Sequence, residues 1–224
     1  MRVADLNWMQ LEAYLERDDR IVLPLGSTEQ HAYLSLATDV ILAERVALEA
    51  AEPLGIPVLP PLAFGVAPYF AGFPGSLSLA EGTYTQVLRE LTGSLQGQGF
   101  RRILLVNGHG GNSEAAAAAL SPGVALHDWW RAPRTMRAVR ELDPDASHAS
   151  WMENLPWTRL RGVELPAGHK DPAPRHAEDP AEVRRELGDG CYGGDYERPD
   201  EDVLRVWAIG VEETREALGS VSES

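Results

Sequence analysis

Two short apolar runs constrain this chain more than anything else in it. Ile21-Val-Leu-Pro-Leu25 stops at Gly26, and Arg101-Arg-Ile-Leu-Leu-Val106 breaks into Asn107-Gly-His-Gly-Gly-Asn112. Runs this short, apolar throughout and bounded by glycine fit strands buried on both faces of a parallel sheet, not half-exposed strands. Each is followed by a polar loop and then a helical pattern. The first helix is read as Asp39-Val-Ile-Leu-Ala-Glu-Arg-Val-Ala-Leu-Glu-Ala-Ala with Thr38 as its cap, and the second as Ser113-Glu-Ala-Ala-Ala-Ala-Ala-Leu120. Val124-Ala-Leu-His-Asp-Trp-Trp130 reads as another strand. This alternation predicts an α/β fold with a mainly parallel sheet, in which sites collect on the loops at the carboxyl ends of the strands.

The remaining segments are read as packing. Asn7 caps a first helix with Trp8, Leu11, Tyr14 and Leu15 at helical spacing. Gly55-Ile-Pro-Val-Leu-Pro-Pro-Leu62 is an edge or interrupted strand because of its prolines. Residues 64–79 form an irregular loop. Ser78-Leu-Ala-Glu81 reads as a capping box opening a helix with Tyr84, Val87, Leu88, Leu91 and Leu95 on one face, stopped by Gly97 and Gly99. A Pro/Gly-rich loop region spans about 165–199. A last helix starts at Asp200 or Asp202, with Val203, Trp207 and Val211 on one face, and a disordered tail is expected over about 220–224. The whole of 1–224 reads as one domain.

A formal net charge of -14 argues against nucleic acid or an anionic membrane surface as the main partner, since both repel such a chain. The single cysteine, Cys191, excludes an internal disulfide framework and a Cys-rich zinc site and makes a reducing cytoplasm the natural compartment. The residues after Met1 lack the apolar core of a signal peptide, and no run has the length to cross a bilayer. A soluble, cytoplasmic protein is expected.

The chemistry-bearing residues fall in the predicted loops. Glu29, His31 and Asp39 follow the first strand and offer carboxylate oxygen and imidazole nitrogen, a donor set suited to zinc, manganese or ferrous iron. His109 follows the second strand, among glycines that present the ring without neighbouring side chains. His148 and Glu153 lie five residues apart, so a regular helix would turn them to different faces, and both reach one site only from a loop that leads into a helix start.

These motifs, in this order, resemble the creatininase (creatinine amidohydrolase) family. Leu23-Pro-Leu-Gly-Ser-Thr-Glu-Gln-His31, Thr38-Asp39, Gly72-Phe-Pro-Gly-Ser-Leu-Ser-Leu79, Asn107-Gly-His-Gly-Gly-Asn112 and His148-Ala carry the resemblance over roughly residues 20–155. The resemblance implies a three-layer α/β/α fold, a homo-oligomer (a hexamer or another assembly) and two divalent metal ions, zinc, manganese or iron. It assigns Glu29, His31, Asp39, His109 and Glu153 as ligands, with Asp39 between the ions and Glu153 replacing an acid that creatininase itself has at the position of Gly111. It further implies metal-activated water attacking an amide carbonyl, with Glu153 at the reacting centre and His148 moving the proton to the leaving nitrogen. Trp151 is read either as a stacking surface for a planar substrate or as a core residue.

Between His31 and Asp39 the family often has a second histidine and one more residue, whereas this chain reads Ala-Tyr-Leu-Ser-Leu-Ala-Thr. That difference argues against creatinine itself as the substrate. The leading reading is a metal-dependent amidohydrolase acting on a small-molecule amide: a cyclic amide, a formamide or a peptide-like bond. The alternative is a catalytically silent relative acting as a metal-binding or assembly subunit. A phosphate-binding role for residues 107–112 is disfavoured, because the P-loop spacing and lysine are missing.

Overall fold

The computed structural model of the protein describes residues 1–173 and 179–221. Three parallel strands, β1 (Arg20–Leu25), β2 (Arg102–Asn107) and β3 (Val124–Asp128), lie side by side in that order. Leu23 pairs with Leu105, which pairs with Leu126. The Pro-rich segment after Gly55 joins the β1 edge only through isolated bridges, Val22 with Val58 and Leu25 with Leu62. Its prolines lack the N–H groups a continuous ladder needs.

The strands are apolar throughout because each side of the sheet has its own core. Ile21, Leu23, Leu25, Ile103 and Leu105 point to one side, where they meet Tyr84, Leu88, Phe100 and Ala116. Val22, Leu104 and Val106 point to the other and meet Leu42, Val46, Trp129 and Trp207. The first layer contains α1 (Trp8–Leu15), α3 (Glu81–Gly97) and α4 (Asn112–Ala117). The second contains α2 (Thr38–Ala51), α5 (Pro133–Leu142) and α7 (Asp200–Ser220). The result is the expected three-layer α/β/α arrangement.

Local signals succeed where the bond is local. Asn7 and Gln10 form a reciprocal capping box on α1. The proposed box at Ser78 does not form: the Ser78 hydroxyl accepts from Ala67 N, 11 residues away, and α3 begins after Ala80 without a side-chain cap. Thr38 is the first residue of α2 and not its cap, its hydroxyl donating back to Ser35 O at 2.7 Å.

The region 165–199 is more ordered than its composition suggests. It contains a two-stranded antiparallel pair, β4 (His169–Lys170) with β5 (Gly194–Asp195), and α6 (Pro180–Leu187) capped by Asp179. Ser220 closes α7, so the expected tail does not begin there. The rest of that expectation, residues 222–224, lies outside the described residues, as do 174–178. Among the described residues no helix is long and apolar enough to cross a membrane.

α5 is capped at long range. The buried Glu213 carboxylate of α7 accepts hydrogen bonds from Arg134 N (2.9 Å), Thr135 N (2.7 Å) and the Thr135 hydroxyl (2.7 Å), covering donors that a helix start leaves open. Burial pushes this carboxyl up, but those bonds and the Arg134 charge outweigh it and hold it below its ordinary value. The cap therefore contributes stability above the unfolded-state value of about 4.3 and loses it as pH falls through the lower folded value. Glu213→Gln is expected to cost about 1–2 kcal/mol at pH 7. Denaturant titrations between pH 3 and 7 should show the difference from wild type shrinking toward the acid end.

Candidate metal centre

Every proposed ligand sits at the carboxyl end of the sheet or on a loop folded over it. After β1 the chain turns at Gly26, whose N–H donates to Leu62 O, and the loop is pinned by Glu29 N to Leu36 O and Leu77 N to Thr28 O. These bonds bury Glu29 and His31 (0% and 1% exposed) beside Asp39 (2%) in the first turn of α2. After β2, Asn107 braces the glycine loop, accepting from His109 N and donating to His109 O. Asn112 ties that loop to the rest: its side chain accepts from Val66 N and donates to Gly26 O and Asn107 Oδ1.

The histidine hydrogen bonds determine which ring nitrogens face inward. His109 Nε2 donates to Val66 O at 2.9 Å, which leaves Nδ1 as the free nitrogen, 3.1 Å from both Glu29 Oε1 and Asp39 Oδ2. His31 Nδ1 donates to Glu29 O at 3.2 Å, leaving Nε2 2.9 Å from Asp39 Oδ1 and 3.8 Å from Glu153 Oε2. Fixing the outer nitrogen by a carbonyl is how proteins orient imidazole ligands. Glu29 and Asp39 each direct a buried carboxylate oxygen, Oε1 and Oδ2, at this space with no hydrogen-bond partner of its own. Three overlapping triads result, Glu29–Asp39–His109, His31–Asp39–Glu153 and Glu29–His31–His148, each with ligand atoms within 4.8 Å of one another. Asp39 belongs to the first two, one oxygen to each. Orphaned buried carboxylate oxygens converging with lone-pair nitrogens fit divalent cations and little else.

Without a cation, protons take its place. Burial alone would depress His31, but Asp39, with smaller contributions from Glu153 and Glu29, carries it up to about 10. His109 is likewise raised well above its ordinary value, against burial, by Glu29 and Asp39. Burial resists ionisation of Asp39, yet the two histidines hold it below the carboxylate range. Burial pushes Glu153 up to about 7, with His31 opposing and Asp39 adding to the rise.

His148 and Glu153 reach the site together because the segment between them is not helical at its start. Ala149 adopts a left-handed conformation (φ 62°), a 3-10 turn follows over Trp151–Glu153, and the Glu153 carboxylate folds back to accept from Ala149 N at 2.6 Å. His148 Nε2 lies 3.0 Å from Gln30 O, and its Nδ1 lies 4.0 Å from Glu29 Oε1. The ring stacks on Phe70 at 4.8 Å and tilts against Tyr192 at 5.0 Å. Burial, then the neighbouring His31 charge, hold His148 well below its ordinary value.

Trp151 does not stack on a substrate. It is fully buried, with its indole N–H donating to Asp143 Oδ2 at 3.0 Å. Gly111 accounts for the absent acid at that position: a Cβ there would stand 2.0 Å from Val66 O and 2.5 Å from His109 Nε2, the two atoms that fix the ring. Above the ligands opens a cavity of about 430 Å³, walled in part by Phe70, Trp130, Met136, Arg140 and Tyr192. Phe70 falls in the irregular loop of residues 64–79, and the other four carried no signal in the sequence because separate segments bring them together.

The family model for creatininase, described as creatinine amidohydrolase, matches residues 4–195. The chain belongs to the creatininase family. A mycofactocin precursor peptide peptidase of Mycolicibacterium smegmatis is 41% identical over 108 residues, 45% of this chain and 43% of that protein. The creatinine amidohydrolase of Pseudomonas putida is 34% identical over 118 residues, 50% of this chain and 45% of that enzyme. The match thus spans less than half the length of either relative. A crystal structure of creatinine amidohydrolase superposes with a TM-score of 0.82 at 23% identity, over 97% of this chain and 96% of that one, which shows the shared fold. Creatininase forms described as Zn-Zn type and as Mn have the same fold.

Proposed function

We propose that this protein is a metal-dependent hydrolase of a C–N amide bond, with Glu29, Asp39 and His109 holding one divalent ion, His31, Asp39 and Glu153 a second, and Asp39 shared. The observation that carries this reading is the pair of buried carboxylate oxygens, on Glu29 and Asp39, left without hydrogen bonds beside imidazole nitrogens whose opposite sides are already fixed. Two such ions, when bound, polarise a carbonyl and make water a nucleophile near neutral pH.

The chain's own residues supply the rest. Ser27 donates to Glu29 Oε2 at 2.9 Å, so the other oxygen, Oε1, is the one aimed into the site. His148 Nε2 lies 2.9 Å from Gln30 Nε2 and 3.0 Å from Gln30 O, and its Nδ1 is 4.0 Å from Glu29 Oε1 at the cavity. Held neutral by burial, the ring can take up a proton and pass it to the departing nitrogen. Phe70 and Tyr192 hold that ring in place and limit its access to water. Relatives named as a peptide peptidase and a creatinine amidohydrolase both act on C–N bonds, which supports the reaction class. A cavity of about 430 Å³ suits a small amide or a short peptide-like group.

Ligands that are protonated in the ion-free protein must lose those protons on loading. With His31 near 10, His109 raised and Glu153 near 7, zinc or manganese uptake at pH 7 should release about two protons per chain. Affinity should rise with pH until His31 loses its proton, at about 10. Calorimetry in buffers of different ionisation enthalpy measures the release, and a screen of cyclic amides, formamides and dipeptides with each metal tests the reaction. Protein that takes up no ion from either metal would overturn the reading. Two ions held with no hydrolysis anywhere in the screen would leave a metal-binding subunit as the function.

A further inference from the structure

We propose that Arg140 is a specificity-determining residue that selects amide substrates carrying a carboxylate away from the scissile bond. This inference rests on the hydrolase reading above and adds a substrate class to it.

Arg140 lies in the last turn of α5. Met136 stands four residues before it, so the two share a helix face, and together with Trp130 they make one wall of the cavity. The other acidic and basic side chains lining that cavity are the carboxylates Glu29, Asp39 and Glu153 and the histidines His109 and His148, so among the described residues Arg140 is the one guanidinium of its lining.

The Arg140 side chain is exposed at the cavity mouth and is free to meet a ligand there; like Arg137 on the same helix and Arg101 and Arg161 elsewhere, it makes no ion pair among the described residues. On the same stretch Arg131 pairs with Asp128, and Arg134 with Glu213 and Glu216. Among the described residues no carboxylate lies within ion-pair distance of Arg140. A cation near a helix C-terminus is favourable by itself, but that interaction places no demand on which way the head group leans.

Charge favours the same conclusion. Three carboxylates and an ionised water would balance two divalent ions, so Arg140 would be the uncompensated charge of the loaded cavity inside a protein of net charge -14. A planar guanidinium accepts a carboxylate through two parallel N–H bonds, while the Trp130 and Met136 surfaces beside it take the apolar part of the same molecule. A carboxylate returns one charge to this one guanidinium, whereas a dianionic phosphate brings a second charge that finds no partner on the wall.

The probes are N-formylglycine, N-acetylglycine and N-benzoylglycine, each compared with its neutral carboxamide and its aminomethylphosphonate analogue. Binding to zinc- or manganese-loaded protein is read by calorimetry and by quenching of tryptophan fluorescence, and hydrolysis is assayed in parallel. At least one carboxylate should bind about 10–100-fold tighter than its carboxamide. Arg140→Gln should erase that difference without moving the thermal midpoint, and Arg140→Lys should restore part of it.

A carboxylate preference that survives in Arg140→Gln would assign recognition to the metal ions and overturn the proposal. So would equal binding of acid and amide in all three pairs, or tighter binding of the phosphonate. Charge-selective binding without hydrolysis overturns the hydrolase reading and leaves the role of Arg140 standing. Hydrolysis without charge selection overturns only the role of Arg140.

Discussion

Asp39→Ala should leave the protein unable to hold either ion and should lower kcat/KM for any substrate it hydrolyses by at least about 10³-fold, the scale set by several kcal/mol of lost transition-state stabilisation. The effect should exceed that of removing His109 or Glu153, because Asp39 serves both proposed ion sites, Oδ1 toward His31 and Oδ2 toward His109. Removing His109 leaves the His31–Asp39–Glu153 triad complete, so His109→Ala should retain about one ion where Asp39→Ala retains none. Metal content by elemental analysis, alongside far-UV circular dichroism to establish folding, separates these outcomes. Full metal content in Asp39→Ala would place the ions elsewhere.

Much of this centre was legible in the sequence because strand, loop and helix follow one another without interruption. The apolar run before Gly26 had to be buried on both sides, and so the polar residues after it had to emerge at the end of the sheet, where Glu29 and His31 are found. The same holds for β2 and His109. The spacing of His148 and Glu153 required an irregular start. The positive φ at Ala149 and the 3-10 turn supply it.

What was not legible depends on partners distant in the chain. α5 is strongly polar, buries only Thr135 and Val139, and owes its capped start to Glu213, nearly eighty residues later. Ser78 has the right spacing for a capping box with Glu81, yet its hydroxyl is taken by Ala67. A local pattern states what a side chain can do. Which of several partners wins is set by packing. The cavity wall has the same difficulty, since Arg140 reads as an ordinary helix-end arginine until the fold shows that it borders the cavity and lacks an acid.

Trp151 shows how closely the core and the site are joined, and its substitution should have the largest effect on stability. Trp151→Ala removes a fully buried indole from the core that also contains Val106, Trp129 and Trp207, at a cost of about 3–5 kcal/mol. It also deprives Asp143 Oδ2 of the indole N–H, leaving Asp195 N as the remaining donor to that oxygen. For a domain of this size the thermal midpoint should fall by about 6–20 °C. The same indole starts the turn that ends at Glu153, so the His31–Asp39–Glu153 triad should loosen before the rest of the fold does. Trp151→Phe keeps most of the apolar volume and loses only the bond to Asp143. It should cost about 1–2 kcal/mol and still bind two ions, with the second more weakly held. Differential scanning calorimetry with and without added zinc distinguishes the two variants. A Trp151→Ala protein as stable as wild type would mean that this ring is not the anchor of the turn carrying Glu153.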